Sequence, residues 1–343
     1  MATSHHWTPP RRWLMEGIIG AVLIPSGMVQ AKAVHEHLRV EPQGSVEILD
    51  VAGSVALSGW DRPEIEVTGT AGDQVDRVEV TTSGSRSAVR VILRSGSGYG
   101  GENEARLTIH VPNKSAVTLT LVSADLTLGD LQGSVKLQTV SGEVTGAVGG
   151  DFRAATVSGS VRVTAAAARV IEVKTVSGTI HLSGSGGEVE ITTISGDATL
   201  DLESITRGRF KSVSGDLTAG FALAANGRFE GESVSGGLKV RFAGTPAADF
   251  DVQSVSGNIT NCFGPKPKEA PYGPGSRLAF KSGEGNGHVQ IETQSGNVNL
   301  CTKDSQGKRS ADAATPSGCG QPPTFYPAGD PGHGDRLRRF PLI

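Results

Sequence analysis

The sequence predicts an all-β chain wound as a β-solenoid (single-stranded, β-helix-like) with coils of about 19 residues. Three observations predict it. A Val-Ser-Gly-polar tetrapeptide recurs at Ser141-Gly142, Ser158-Gly159, Ser177-Gly178, Ser195-Gly196, Ser214-Gly215, Ser235-Gly236 and Ser256-Gly257. Apolar residues alternate at fixed offsets around each copy. Glycine is abundant, 47 of 343 residues, while aromatics make up 5%. Such a composition disfavours helical bundles, because Gly in a helix interior costs about 1 kcal/mol relative to Ala. Gly does not recur at every third position, so a collagen helix is excluded. With 37% hydrophobic residues and a net charge of −3, the chain can still build a core.

Two degenerate copies bracket the series, Leu121-Val122-Ser123-Ala124-Asp125 and Thr293-Gln294-Ser295-Gly296-Asn297. From Ser123 the steps are 18, 17, 19, 18, 19, 21, 21 and then 39 residues. The last is two periods, or one period with an insertion. Six and four residues before the Ser stand pairs such as Val135/Leu137, Ile171/Val173 and Val289/Ile291. Three and five after it stand Val161/Val163, Ile180/Leu182 and Val298/Leu300. Period-two alternation is a strand signal. The apolar phase is even before the motif and odd after it, and a one-residue shift flips a strand's faces. The expected bend lies just before the Val, which places the Val with the inward set and the Gly at a crowded inward corner. The competing architecture is a row of antiparallel hairpins, which short connections favour. The fixed period with matching apolar columns favours the solenoid.

The organisation follows. Residues 1–33 read as a signal peptide: Arg11 and Arg12, a short apolar core from Gly17 to Ile24, then Ala31-Lys32-Ala33 as a cleavage site. The apolar run is too short to span a bilayer, so no membrane span is expected in the exported chain. Its removal leaves 29 basic and 34 acidic residues. Residues 34–115 read as an N-terminal β cap with the first coils, a device against open strand edges. Trp60 is expected to pack under it. Residues 116–302 hold the repeats, with a Pro-rich insertion at about 263–287 leading to an end-capping hairpin of Arg277–Phe280 with His288–Glu292. Residues 303–343, rich in Gly and Pro without a period, read as a disordered tail.

Cys262 and Cys301 each lie six residues after a repeat Ser, at 256 and 295. One shared column puts their Cα atoms ~5 Å apart if the two coils are neighbours, which suits a disulfide. Two free buried thiols are the alternative. Cys319 is left over in the tail.

No catalytic, cofactor or metal site is predicted. The residue two after each Ser forms a polar column that includes Asp125, Glu143, Asp197 and Asp216. Carboxylates ~5 Å apart have the spacing of a retaining glycosidase, yet any solenoid column gives that spacing and Asp is a common turn residue. The Ser column, and a hydroxyl column two before it (Thr139, Thr156, Thr175, Thr193, Ser212, Ser233, Ser254), lack a partner base at a fixed offset. His35-Glu36-His37 is a local exception to scattered histidines and reads as a polar terminus. No basic patch suited to nucleic acid is evident, and no glycine spacing matches a phosphate loop.

The repeated Val-Ser-Gly-polar, Val51-Ala52-Gly53-Ser54-Val55 followed by Gly59-Trp60-Asp61, and Asn261-Cys262-Phe263-Gly264-Pro265 together resemble the bacterial toast-rack "putative adhesin" family, domain of unknown function 4097, over residues 40–302. The resemblance implies a β-solenoid exposed in the cell envelope and brings no catalytic residues. The expectation is therefore a non-enzymatic exported protein, periplasmic, secreted or at the cell surface. It would act as an adhesin-like or envelope scaffold, binding an envelope protein or glycan or self-associating. A carbohydrate-active β-helix enzyme and a strand-edge self-assembly module are the alternatives.

Overall fold

The structure, a computed structural model, describes residues 32–94, 104–269 and 274–303. The leader expectation falls on residues outside these apart from Lys32 and Ala33, and the tail expectation falls outside them apart from Lys303. The chain is all-β, and its strands join one hydrogen-bonded sheet.

The N-terminal part holds β1 (Lys32–Arg39), β2 (Ser45–Trp60), β3 (Glu64–Ala71), β4 (Val75–Ser83), β5 (Arg86–Leu93) and β6 (Ala105–Pro112). Then come β7 (Ala116–Leu131), β8 (Val135–Thr139), β9 (Val144–Val148), β10 (Phe152–Thr156), β11 (Val161–Ala165), β12 (Val170–Thr175), β13 (Ile180–Gly184) and β14 (Glu188–Thr193). The rest is β15 (Ala198–Ser212), β16 (Leu217–Ser233), β17 (Leu238–Phe242), β18 (Ala248–Ser254), β19 (Ile259–Asn261), β20 (Lys268–Glu269), β21 (Ser276–Ser282), β22 (Gly287–Thr293) and β23 (Val298–Thr302).

Two parallel ladders run the length of the repeats. The strands before each motif pair in the order β7, β8, β10, β12, β14, β15, β16. The strands after it pair in the order β7, β9, β11, β13, β15, β16, β17. Register is set by equivalent repeat positions, with Phe152 opposite Val135 and Ile171. Equivalent repeat positions therefore stack on one another, and the alternating apolar residues become continuous buried columns. Val135, Leu137, Ile171, Val173, Ile180 and Leu182 are each 0–1% exposed, and burying one such side chain contributes about 1.5–3 kcal/mol.

The motif valines do not join that core. Val122, Val140, Val157, Val176, Ile194, Val213, Val234 and Val255 are 41–67% exposed. The hydroxyl two before the Ser is buried instead, as at Thr156 and Thr175, so the inward phase of the strand runs on past its apolar pair. The phase shift falls across the Val-Ser dipeptide, which turns outward, and the Gly returns to the interior. At that corner a Cβ on Gly178 would lie 1.9 Å from the Gly159 carbonyl oxygen of the preceding repeat.

At the N-terminal end, β2 is a further copy of the repeat stacked on β7, with Ala52 opposite Ser123. Its other edge is covered in parallel by β5 and β6. Antiparallel β4, β3 and β1 complete that end. Trp60 is not buried beneath it: it is half-exposed and stacks on His110.

The C-terminal end departs from chain order. β22 pairs with β16 on one side and β18 on the other, and β23 lies between β17 and β19. The last repeat thus inserts between the two that precede it. β21 runs antiparallel along the outer edge of β18. The expected hairpin of Arg277–Phe280 with His288–Glu292 is not formed, because β18 separates those strands. The short link at 283–286 steps over the start of β18, with Gly283 and Gly285 packed on Ala247, and spans two strand spacings, ~10 Å. Phe250, Phe263 and Phe280 close this end, Phe250 stacking on Phe280 at 4.6 Å. Cys262 and Cys301 form a disulfide across the β19–β23 pair, Cα atoms 4.8 Å apart.

Two stability measurements follow. Gly178→Ala should lower the unfolding free energy by about 2–3 kcal/mol through overpacking, while Gly244→Ala, whose Cβ meets nothing within 4 Å, should stay within about 0.5 kcal/mol. Reducing the disulfide should remove about 2–4 kcal/mol, seen as a lower denaturant midpoint with reductant.

Candidate functional site

The corners from Gly159 onward share one local turn, while at Ser141-Gly142 the Thr139 hydroxyl donates to the Ser141 carbonyl at 2.9 Å. The buried hydroxyl two before the Ser accepts a hydrogen bond from the N–H of the Gly three residues on: Gly178 to Thr175 at 2.9 Å, Gly196 to Thr193 at 2.8 Å, Gly215 to Ser212 at 2.8 Å, Gly296 to Thr293 at 2.7 Å. A short hydroxyl side chain suits this because it closes a turn on its own backbone. The Ser backbone N–H then donates to the carbonyl of the motif aliphatic residue one repeat below, as from Ser177 to Val157 at 2.9 Å. The Ser hydroxyl points to the same oxygen from 3.4 Å.

The polar column serves the stack. Asp125 accepts from the N–H of Glu143 at 2.8 Å, Asp197 from Asp216 at 2.9 Å, Asp216 from Gly237 at 2.6 Å, and Asn297 from Asn258 at 2.9 Å. Asp197 and Asp216 are thus brought one repeat apart, as a retaining pair would require, but each binds the backbone of the next repeat. The hydroxyl column is buried behind the corner, and the Ser column faces the carbonyl ladder rather than a general base.

What the structure brings to the surface is a face of three outward rows, five, three and one residue before each Ser. The outermost row is the aliphatic ridge. The other two are charged. Arg209 donates to Glu230 at 2.7 Å, Lys211 to Glu232 at 2.9 Å, and Arg153 lies 3.6 Å from Glu172. The hydrogen bond from Arg209 holds the Glu230 carboxyl below its ordinary range and raises the Arg209 guanidinium in turn. The hydrogen bond to Glu172 raises the Lys174 ammonium. A groove of about 390 Å³ runs along the stack at the edge of this face, lined by Glu172, Glu190, Arg209 and Glu230 with Glu188 and Arg207 beside them. A second cleft, about 640 Å³, lies at the C-terminal end between Val255, Pro265, Lys266, Lys268 and Leu278.

The aliphatic ridge was missed by the sequence reading, although the buried parity of Thr156 and Thr175 carried the signal for it. The reading also missed a cluster at the N-terminal end. The Trp60 ring carries Arg62 at 4.9 Å, and His110, stacked on it, shares a 2.7 Å hydrogen bond with Ser58. His37 contacts Glu64 at 2.6 Å, which holds that carboxyl below its ordinary range. Among the described residues no three His, Cys, Asp or Glu converge to hold a metal ion, and no helix is long and apolar enough to cross a membrane.

A family model described as Toastrack DUF4097 matches residues 61–301. None of the curated proteins matches. Solved structures similar to this chain include a "putative cell adhesion protein" from Clostridium sporogenes, 12% identical, TM-score 0.25, covering 79% of this chain and 100% of the other. A "putative adhesin" from Bacteroides fragilis is 11% identical, TM-score 0.36, covering 80% and 98%. A "putative lipid binding protein" from Parabacteroides distasonis is 12% identical, TM-score 0.37, covering 78% and 96%.

The corner chemistry predicts a graded series. Thr175→Ser should be nearly neutral. Thr175→Val should cost about 1–3 kcal/mol by orphaning the buried Gly178 N–H. Asp216→Asn should hold within about 0.5 kcal/mol, and Asp216→Ala should lose about 1 kcal/mol. Chemical denaturation of the four variants reads these differences.

Proposed function

The chain belongs to the Toastrack DUF4097 family, and on that footing we propose that it is a non-enzymatic β-solenoid exported to the cell envelope, where its outward rows form an adhesin-like interaction scaffold. Solenoid describes the stacking: equivalent residues of successive repeats pair in parallel at sequence offsets of 17–19 residues through β8–β14. The β1–β6 segment and the β20–β21 segment act as its caps, covering strand edges that would otherwise template aggregation.

One observation carries the functional reading. The carboxylates and hydroxyls of the repeat columns beside the corner are committed to holding repeats together: Asp197 and Asp216 to backbone N–H groups, Thr175 and Thr193 to the corner turns. Export is supported by the leader at 1–33 and by the Cys262–Cys301 disulfide, a bond typical of oxidising compartments.

The test pairs localisation with turnover. The intact chain should fractionate with the periplasm or cell surface in a leader-dependent way. The Asp197→Asn/Asp216→Asn variant should bind isolated envelopes as well as the parent. Release of sugar fragments from envelope polysaccharide by the parent, lost in that variant, would instead establish the carbohydrate-active reading.

A further inference from the structure

We propose that two copies of this chain associate laterally through the aliphatic ridge, face to face with their stacks antiparallel and Ile194 on the two-fold axis. The ridge runs unbroken from Val122 to Val234, and Gln294 alone separates Val234 from Val255. Its rungs follow the corner ladder in the order Val122, Val140, Val157, Val176, Ile194, Val213, Val234, Gln294, Val255, each linked to the next through the Ser N–H. The eight aliphatic side chains are 41–67% exposed. At ~4.8 Å per rung the nine rungs extend ~38 Å. A soluble chain rarely leaves so long an apolar row uncovered unless it marks an interaction site.

The repeat itself points to a second copy as the occupant. A ridge with a fixed rung spacing is matched along its whole length by an identical ridge, so that every side chain of one meets a side chain of the other at the same rung height. The three outward rows over nine rungs offer roughly 600 Å² per copy, or about 1,200 Å² in total, at the lower end of stable interfaces.

Charge selects the antiparallel arrangement. Five residues before each Ser, the ladder reads Thr118, Lys136, Arg153, Glu172, Glu190, Arg209, Glu230, Gln290, Asp251. Reversed against itself about Glu190, this row sets Arg153 opposite Glu230 and Glu172 opposite Arg209, each twice. The row three before the Ser sets Gln138 opposite Glu292, Ala155 opposite Glu232 and Lys174 opposite Lys211. The lysine pair is neutralised within each copy by Glu172 at Lys174 and by Glu232 at Lys211. Glu190 meets its own copy with Arg209 on the adjacent rung. In a parallel pair the two-fold axis runs along the stack and reverses the row order, so with the ridge on that axis the charged rows of the two copies lie on opposite sides and these Arg–Glu pairs are not made. The surface pairs each charge already makes contribute little and leave it free to share a second partner. On the ridge, Val176 meets Val213, Val157 meets Val234, Val140 meets Gln294 and Val122 meets Val255.

The experiment is sedimentation equilibrium combined with cysteine cross-linking of the purified exported chain, with Cys319→Ser as the background. The parent should dimerise reversibly, and Val176→Asp/Val213→Asp should weaken dimerisation at least tenfold while circular dichroism and the unfolding midpoint stay near the parent's. Arg153→Glu should weaken it, and adding Glu230→Lys should restore it. Ile194→Cys should form an intermolecular disulfide with itself. Val122→Cys should cross-link to Val255→Cys in a mixture and not to itself. A parent that stays monomeric at 100 µM, or a dimer untouched by the Asp pair, would overturn the proposal. So would self-cross-linking of Val122→Cys as efficient as that of Ile194→Cys, which is the signature of a parallel pair. If the parent stays monomeric but its envelope binding is lost in the Asp pair, the ridge serves another partner and the scaffold reading survives without the dimer.

Discussion

The whole stack depends on the approach of one backbone to the next at the corner. Seven glycines (159, 178, 196, 215, 236, 257 and 296) stand so close to the glycine or corner backbone of the adjacent repeat that a Cβ would fall 1.9–2.5 Å from its carbonyl oxygen. That contact sets where the chain turns, and the hydroxyl turn beside it satisfies the glycine N–H. Once the corner is fixed, the strands on either side fall into register. Register decides that Val stacks on Ile and Leu on Leu, so the core follows from the corner rather than the corner from the core.

The same constraint explains the surface. Because two residues turn outward at each corner, a Val and a Ser appear on the outside once per repeat, and the stacking that builds the core also builds the ridge. Polar side chains next to the corner are drawn into the same job: Asp197 and Asp216 reach the next repeat's backbone, which leaves the rows of Arg, Lys, Glu and Val as the chemically free face. A protein so constructed offers long, one-dimensional surfaces, with the groove beside Glu172, Glu190, Arg209 and Glu230 set along one of them.

Much of the fold is legible in the sequence for physical reasons. The period of the Ser-Gly pair and the alternation of Val135/Leu137 or Ile180/Leu182 depend only on local geometry, so they survive translation into structure. The orientation of the motif Val was misjudged because two parities compete at a corner. Thr175, in phase with Ile171 and Val173 and buried with them, settles that competition: an apolar residue out of phase with three buried positions faces solvent. The order of the last repeats was not legible. Apolar alternation at Val289/Ile291 and Phe250/Val252 fits either slot in the stack equally well. The insertion of β22 between β16 and β18 rests on long-range packing under Phe250 and Phe280, to which sequence spacing is blind. The candidate surface was visible as residues but not as a surface, since Arg153 and Glu172 become neighbours only through the ladder.

The corner's primacy is most directly tested by residue-resolved hydrogen exchange. If the hydroxyl turns and glycine contacts hold the stack, the amides of Gly178, Gly196 and Gly215 in its middle exchange together and only through global unfolding, with opening free energies equal to the stability from denaturation. Exchange of these amides at the rates of exposed turns, or each with its own small opening energy, would show that the strands hold the corners in place and would contradict that order of cause.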